Sequence, residues 1–435
     1  MNKKIISLML AAILAVSALF SLSSCMSILE EIVEMSDGDT LGAPQGNLPA
    51  GPSNNNPSAN TGTKPEGNES SDTPEFYPST QNPDASDEDI TNMSRALLSA
   101  VSVYASFEIE YGYPSFTTEK STSRGSGVIY KLDKENGNAY IITNYHVVYN
   151  ASATSKISRD IQILLYGQEY ETYAIDATYI GGSMANDIAV LKVSDSAVLK
   201  NSNAQAVSVA DSDTLAVFDK IYVIGNPEAL GLSVTEGIVS VESEMLPMTG
   251  ADGKTTIKPR VIRVSAAIND GNSGGGLFDT AGQLVGIVNA KRTGNSIDNI
   301  GYAIPTNVAV RLADSIIYYC DGADKTTPKK AMLGVTISAK VCGTGIDEDG
   351  RVIKVEIPEI IEIQSGSPIA DKLAVGDRIN SITVDGLTKA TTRSYHIIDM
   401  MFFARVGSIV TLSVTRGSET FEVTVTVTET MLLEV

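Results

Sequence analysis

The sequence predicts an all-β-dominated protein with more than one domain. Its 435 residues, at roughly 150 residues per domain, indicate two to three domains. Hydrophobic residues make up 43% of the chain, which is enough to build ordinary cores. Short runs of β-branched residues follow one another with turn signals between them and without helical periodicity, so we expect barrels or sandwiches rather than an alternating α/β fold.

The predicted strands begin after about Ile90. Residues 127–130 and 139–143 flank Asn136-Gly137, which is a turn signal typical of a hairpin. Further strands are predicted at residues 161–166, 173–179, 188–193, 221–224, 261–264 and 284–288. One helix follows, with Thr306 as its predicted cap, and it places four apolar residues on one face: Val308, Leu312, Ile316 and Tyr319. We expect this domain to end near Cys320.

The first 25 residues have the layout of an export signal. Lys3 and Lys4 precede an apolar run at residues 5–20, which is short for a membrane span. The run ends at Leu22-Ser23-Ser24-Cys25, which resembles a bacterial lipoprotein signal. That resemblance implies removal of residues 1–24 and lipid attachment at Cys25, so that the exported chain is anchored to the membrane. A conventional signal peptide is the alternative, and it also implies export.

Residues 25–90 are predicted to be a disordered, lipid-anchored linker. From residue 36 onward the segment holds half of the chain's 16 prolines, with ten acidic residues and a single base, Lys64. Such a composition cannot form a core. A specific binding tail is the alternative, for which Phe76-Tyr77 is the only aromatic pair.

Charge and residue counts exclude several classes of function. The net charge of −20 repels phosphate backbones, so we expect no nucleic-acid partner. Two histidines and three cysteines are too few for a zinc finger, and no HExxH spacing occurs. We therefore expect no metal and no cofactor.

The segment with the clearest chemical signal is Asn269-Asp270-Gly271-Asn272-Ser273-Gly274-Gly275-Gly276. A glycine-flanked serine between two strands is compatible with a plain turn. It also fits G-x-S-x-G, the nucleophile elbow of α/β-hydrolases. That motif requires a helix after the serine and a downstream histidine, whereas a turn and a strand follow here. The only downstream histidine, His396, lies in a separate C-terminal module.

Two further residues complete a possible catalytic set. His146 lies at the end of a predicted strand, in Thr143-Asn144-Tyr145-His146-Val147-Val148. Asp187 immediately precedes a buried-looking strand. Neither is informative alone, but the order His146, Asp187, Ser273 is the one used by chymotrypsin-type barrels and differs from the subtilisin and α/β-hydrolase orders.

Over residues 95–435 the chain resembles the HtrA/DegP family of trypsin-like serine proteases with PDZ domains. The resemblance rests on eight ordered blocks: Gly125-Ser126-Gly127-Val128-Ile129, residues 143–148, residues 186–193, Ile224-Gly225-Asn226-Pro227, residues 235–240, residues 266–269, residues 271–275 and residues 300–305. Ser265 and Asp270 stand where the family commonly has Asp and Pro, and Gly276 replaces a usual Pro. These departures bear on the rigidity of the catalytic loop.

The resemblance implies a chymotrypsin-like double β-barrel over residues 91–322, with His146, Asp187 and Ser273 as the catalytic triad. Backbone N–H groups of Gly271 and Ser273 would form the oxyanion hole. Ala267 and Asn289 would contribute to substrate binding. Because Ala267 is not acidic, we expect a preference for small or medium aliphatic residues before the cleaved bond.

The C-terminal residues 330–435 resemble the PDZ (α+β) domain attached to such proteases. Three segments carry this resemblance: Ser365-Gly366-Ser367-Pro368-Ile369-Ala370, Val375-Gly376-Asp377-Arg378-Ile379 and Val384-Asp385-Gly386. The loop Leu333-Gly334-Val335 would bind a peptide C-terminal carboxylate, and a helix at about residues 393–401, which carries His396, would wall the groove. The alternative is a small β domain that only packs against the protease. Cys320 and Cys342 either form a disulfide or stay free.

Three functions follow as hypotheses. The first is an exported, membrane-tethered serine endopeptidase that cleaves unfolded or damaged proteins, assembled as a homotrimer as the resemblance implies. The second is a catalytically silent, chaperone-like peptide-binding protein that keeps the fold. The third and weakest is a sugar or lipid esterase.

Overall fold

The computed structural model describes residues 91–112, 117–168, 170–289, 300–321 and 327–435. The predicted signal at 1–24, Cys25 and the linker at 25–90 lie outside these residues. Among the described residues, no helix has the length and apolar character needed to cross a membrane.

The first barrel consists of six antiparallel strands that close on themselves in the order β1-β2-β3-β6-β5-β4. Its strands are β1 (Ala100–Tyr111), β2 (Thr117–Asp133), β3 (Asn138–Thr143), β4 (Asp160–Leu165), β5 (Ile175–Ser183) and β6 (Ile188–Val193). Side chains from all six strands fill its interior, among them the buried Val103, Ile141, Ile163 and Leu191. The predicted hairpin turns at Asn136-Gly137, where Gly137 has a φ of 68°.

The second barrel also closes with six antiparallel strands, in the order β11-β14-β13-β12-β7-β8. They are β7 (Lys220–Gly225), β8 (Ser233–Met245), β11 (Arg260–Val264), β12 (Gly276–Phe278), β13 (Leu284–Asn289) and β14 (Gly301–Pro305), and a small hairpin of β9 (Met248–Thr249) and β10 (Thr256–Ile257) lies between β8 and β11. The two barrels confirm the predicted all-β, chymotrypsin-like double barrel.

Four helices accompany the barrels: α1 (Asn92–Leu98), α2 (Tyr145–Val148), α3 (Ala197–Lys200) and α4 (Thr306–Cys320). The predicted apolar face of α4 is buried against both barrels through Val308, Leu312 and Ile316. The predicted cap was wrong. Pro305 precedes the helix, and Thr306 is its first residue, with Oγ1 donating to the carbonyl oxygen of Ala210 at 2.8 Å.

The C-terminal region forms an antiparallel sheet in the order β16-β17-β18-β20-β21, with β19 paired to β18. Its elements are β16 (Val335–Ile346), β17 (Val352–Ile363), β18 (Arg378–Val384), β19 (Leu387–Ala390), α5 (Tyr395–Met400), β20 (Ile409–Arg416) and β21 (Glu419–Thr426). Two short strands, β15 (Lys329–Ala331) and β22 (Leu432–Glu434), pair beside it. Cys320 and Cys342 are both free thiols, so the possible disulfide is not formed.

Candidate active site

Strand pairing brings the three predicted catalytic residues to the junction of the two barrels. β3 and β6 are antiparallel neighbours, with Thr143 opposite Ala189. His146 follows the end of β3 and Asp187 precedes the start of β6, so both lie at the same end of the first barrel. Ser273 precedes β12 and therefore reaches this end from the second barrel.

The three side chains form one hydrogen-bonded chain. His146 Nδ1 lies 2.7 Å from Asp187 Oδ2, and His146 Nε2 lies 2.9 Å from Ser273 Oγ. A carboxylate only accepts hydrogen bonds, so Nδ1 carries the ring proton and Nε2 is left as an acceptor for the serine hydroxyl. This geometry suits general-base activation of Ser273.

Asp187 is buried and held in place by several donors. It is 2% exposed and has a φ of 52°, a left-handed conformation that aspartate tolerates better than most residues. The backbone N–H of His146 donates to Oδ1 at 3.0 Å, and Asn144 Nδ2 donates to the Asp187 carbonyl oxygen at 2.9 Å. The acid is therefore fixed relative to the imidazole in both position and orientation.

Asn289, one of the two expected substrate-binding residues, lies beside the acid of the three predicted catalytic residues. It ends β13, is 1% exposed, and donates from Nδ2 to Asp187 Oδ2 at 3.0 Å. Its amide thus helps to hold the Asp187 carboxylate in position. Ala267, the other expected substrate residue, lies exposed after β11, and its carbonyl oxygen accepts a bond from Thr235 Oγ1 at 3.0 Å.

The loop before Ser273 turns sharply at Gly271, which has a φ of 97°. Only glycine adopts such a conformation without a steric penalty. The carbonyl oxygen of Asp270 accepts a bond from Glu228 N at 2.9 Å. In a trans peptide the N–H points opposite to the C=O, so the Gly271 N–H points away from Glu228. Within the described residues that N–H has no acceptor.

The predicted carboxylate loop begins the C-terminal sheet. Leu333 is buried, and Gly334 has a φ of 69°. The carbonyl oxygen of Leu333 accepts a bond from Ser367 Oγ at 2.7 Å. β16, which follows the loop, pairs only with β17 among the described strands and therefore has an open edge.

His396 does not join the catalytic residues. It lies on α5, and its Nε2 is 3.4 Å from Oδ2 of Asp213, which precedes β7 of the second barrel. Burial, ahead of all other influences, lowers the pKa of His396 to about 4. Within the described residues, no three His, Cys, Asp or Glu side chains come together as a metal site would require.

Two contacts within the site are not predicted from the sequence. The role of Asn289 depends on which way the end of β13 faces. Ser126 belongs to a block that carries the family resemblance, and no local pattern indicates that its side chain contacts the loop of Ser273 directly.

Comparison with known proteins agrees with this geometry. Residues 125–287 match the family model described as a trypsin-like peptidase domain. The chain is 39% identical over 201 residues to the serine protease Do-like HtrA of Bacillus subtilis (strain 168), covering 46% of this chain and 40% of that protein. It is 36% identical over 203 residues to the periplasmic serine endoprotease DegP of Escherichia coli (strain K12), covering 46% and 37%.

The chain thus spans less than half the length of these two relatives. A solved structure, the HtrA-type protease AlgW with decapeptide, aligns with a TM-score of 0.48 at 24% identity, covering 78% of this chain and 97% of that one. By the family match the chain contains a trypsin-like peptidase domain, and its sequence is similar to those of the HtrA- and DegP-type serine proteases.

Proposed function

We propose that this protein is a serine endopeptidase that cleaves unfolded or damaged proteins through an acyl-enzyme. The observation that carries the proposal is the continuous chain from Asp187 Oδ2 through both ring nitrogens of His146 to Ser273 Oγ, with distances of 2.7 and 2.9 Å. Ser273 Oγ attacks the carbonyl carbon of the peptide while its proton passes to His146 Nε2. Asp187 stabilises the resulting imidazolium, which then protonates the leaving amine.

The oxyanion of the tetrahedral intermediate would bind to the N–H groups of Gly271 and Ser273. The orientation of the Asp270–Gly271 peptide supports this role, because its carbonyl is engaged by Glu228 on the opposite side. Each oxyanion donor typically contributes about 100- to 1,000-fold in rate.

Specificity would favour small or medium aliphatic residues before the cleaved bond. The chain offers Ala267 rather than an acid at the position expected for the base of the pocket. A peptide-library profile dominated by Arg or Lys before the cleaved bond would reject this assignment.

The remaining architecture follows the family resemblance. The protease domain would span residues 91–322 and a PDZ domain residues 330–435. The open edge of β16 and the amides of Leu333-Gly334-Val335 fit a peptide C-terminus that adds as a further strand. Export with a lipid on Cys25 and a tether at residues 25–90 would keep the enzyme at the outer face of the cell membrane or the periplasmic side of the envelope. A homotrimer is the expected assembly.

Active-site labelling tests the proposed chemistry. The full chain, purified from membranes, is treated with a fluorophosphonate probe and then assayed with casein as an unfolded substrate. We expect labelling and casein cleavage, both lost in Ser273→Ala. A chain that binds unfolded protein but is neither labelled nor active, even with C-terminal peptides added, would instead be a silent peptide-binding protein.

A further inference from the structure

The Gly125-Ser126-Gly127 segment of β2 contacts the loop that carries the proposed nucleophile. Ser126 is fully buried. Its Oγ donates to the carbonyl oxygen of Gly271 at 2.7 Å and accepts the backbone N–H of Asn226 at 2.8 Å. A single buried hydroxyl therefore joins the first barrel to two loops of the second.

The backbone of Ser126 reinforces the same junction. Its N–H donates to the carbonyl oxygen of Ser273 at 2.7 Å, and its carbonyl oxygen accepts Thr143 Oγ1, also at 2.7 Å. Thr143 ends β3, the strand that leads to His146. Ser126 thus bonds to both residues of the predicted oxyanion hole and to the strand that supports the general base.

The close approach is possible because a glycine faces Ser126. A Cβ added at Gly225 would lie 3.1 Å from Ser126 Oγ and 2.7 Å from Asn272 Oδ1. A side chain at position 225 would therefore clash with Asn272 of the Ser273 loop and crowd the Ser126 hydroxyl. The packing leaves no room for the loop to shift toward β7.

The position of this hydrogen bond within the loop gives it a specific consequence. The two predicted oxyanion donors belong to the Asp270–Gly271 and Asn272–Ser273 peptides. The carbonyl of the first accepts from Glu228 N, and the carbonyl of the second accepts from Gly275 N, both at 2.9 Å. The Gly271–Asn272 peptide lies between them, and its carbonyl is the one that Ser126 Oγ binds.

We propose that Ser126 is a positioning residue of the oxyanion hole. Its hydroxyl fixes the middle peptide of the three and thereby sets the spacing and direction of the two N–H donors. It acts through Gly271 and does not touch the substrate. This inference rests on the proposed peptidase function.

The test is Ser126→Ala in the full chain, with Ser315→Ala as the matched control. Ser315 is equally buried and also donates one 2.7 Å bond to a carbonyl oxygen, that of Lys329, but it lies on α4. Active sites are counted by fluorophosphonate titration, so that kcat refers to correctly folded enzyme. Inhibition is measured with a peptide boronate, whose tetrahedral adduct places an oxygen in the hole, and with the leaving-group product peptide, whose amino terminus faces the serine and which has no carboxylate oxygen there.

For Ser126→Ala we expect kcat per titrated site to fall about 10- to 100-fold, a fraction of what losing one donor costs, with KM unchanged. Affinity for the boronate should fall by the same factor and affinity for the product peptide should not change. Ser315→Ala should stay within about threefold of wild type.

A Ser126→Ala enzyme with wild-type kcat per titrated site and wild-type boronate affinity would overturn the proposal, even if fewer sites titrate, because the residue would then be merely structural. If the wild-type chain is itself neither labelled nor active, the proposed function fails and the role of Ser126 fails with it. The two failures are therefore distinguishable.

Discussion

The chain contains two histidines, and each has a ring nitrogen facing an aspartate in a different environment. His146 Nδ1 lies 2.7 Å from Asp187, and its other nitrogen meets the hydroxyl of Ser273 at 2.9 Å. His396 Nε2 lies 3.4 Å from Asp213, and its other nitrogen meets a backbone carbonyl at 3.0 Å. The side chain of His146 is 21% exposed and that of His396 is 6% exposed.

These different contacts explain why only His146 can act as a general base toward a serine hydroxyl. A carbonyl only accepts, so His396 must carry its proton on Nδ1, and its Nε2 then faces a carboxylate without a proton to donate. Asp213 is already paired with Lys389 at 2.9 Å and Arg260 at 3.1 Å. A His–Asp contact is therefore weak evidence for catalysis. The informative feature is a serine hydroxyl within hydrogen-bonding distance of the ring nitrogen that does not face the aspartate.

Replacing each histidine gives the largest expected contrast. We expect His146→Ala to lower kcat/KM by about 10⁵- to 10⁶-fold, because the serine loses its base. His396→Ala should stay within about threefold, because that ring contacts no reacting group. The measurement is hydrolysis of a fluorogenic peptide, with Ser273→Ala setting the background. A comparable loss in both variants would place His396 in the mechanism and contradict the contrast.

Replacing the two aspartates should separate activity from stability. Asp187→Asn is expected to lower kcat by about 10⁴-fold, because it disturbs the tautomer of His146. Asp213→Asn should leave kcat nearly unchanged but destabilise the fold by about 3 kcal/mol, because Arg260 and Lys389 each lose one of their two carboxylate partners, the one that they share. Kinetics and thermal unfolding of the two variants check this pairing. The assignment fails if Asp187→Asn retains wild-type kcat.

The sequence predicted those features that depend on local pattern or on chain order. The strand at residues 188–193 has the same bounds as β6, because its buried run stands out against the residues around it. The order of His146, Asp187 and Ser273 is a property of the chain itself. That order restricts the fold class, and the structure brings the three side chains together.

Other features depend on contacts that no local pattern encodes. Asn289 is the last residue of β13, and whether its amide reaches Asp187 or a substrate depends on the twist of the strand end. Asp213 and His396 are 183 residues apart, and their contact requires the C-terminal sheet to pack on the second barrel. A charged residue carries no sequence signal for its distant partner.

Two asparagines allow a finer comparison between the surroundings of His146 and those of His396. Asn289 donates to Asp187 at 3.0 Å, and Asn307 donates to Asp211 at 2.7 Å. Asp211 also pairs with Lys389 of the His396 cluster, the group of charged side chains formed by Asp213, Arg260, Lys389, His396 and Asp399. Both asparagines are buried. We expect Asn289→Ala to lower kcat about tenfold without changing KM, because the acid loses one of its donors and orients the imidazole less well. Asn307→Ala should change kcat less than twofold.

Steady-state kinetics on titrated enzyme distinguishes these outcomes. Asn289→Asp, which adds a charge beside Asp187, should be at least as harmful as the alanine variant. If Asn289→Ala instead raises KM at constant kcat, the residue binds substrate, as the sequence first indicated.

The smallest expected effect is the pH dependence of stability at the His396 cluster. The pKa of His396 is lowered from 6.5 to about 4, first by burial. Below pH 6.5, His396 therefore binds a proton in the unfolded chain but not in the folded chain, and the stability of the fold decreases as the pH falls toward 4. Burial raises the pKa of Asp399 from 3.8 to about 6, so this group has the opposite effect: the folded chain takes up its proton first, and stability rises as the pH falls from 6 toward 3.8.

His396→Gln removes the contribution of His396 to the pH dependence of stability and leaves that of Asp399. Between pH 7 and 5.5 we expect this variant to lose less stability than the parent, by on the order of 1 kcal/mol, whereas Asp399→Asn should lose more. Thermal midpoints followed by circular dichroism measure the difference, in a Ser273→Ala background that prevents self-cleavage. Parallel pH curves for all three proteins would mean that His396 and Asp399 titrate alike in the folded and unfolded chains, and that the cluster is open to water.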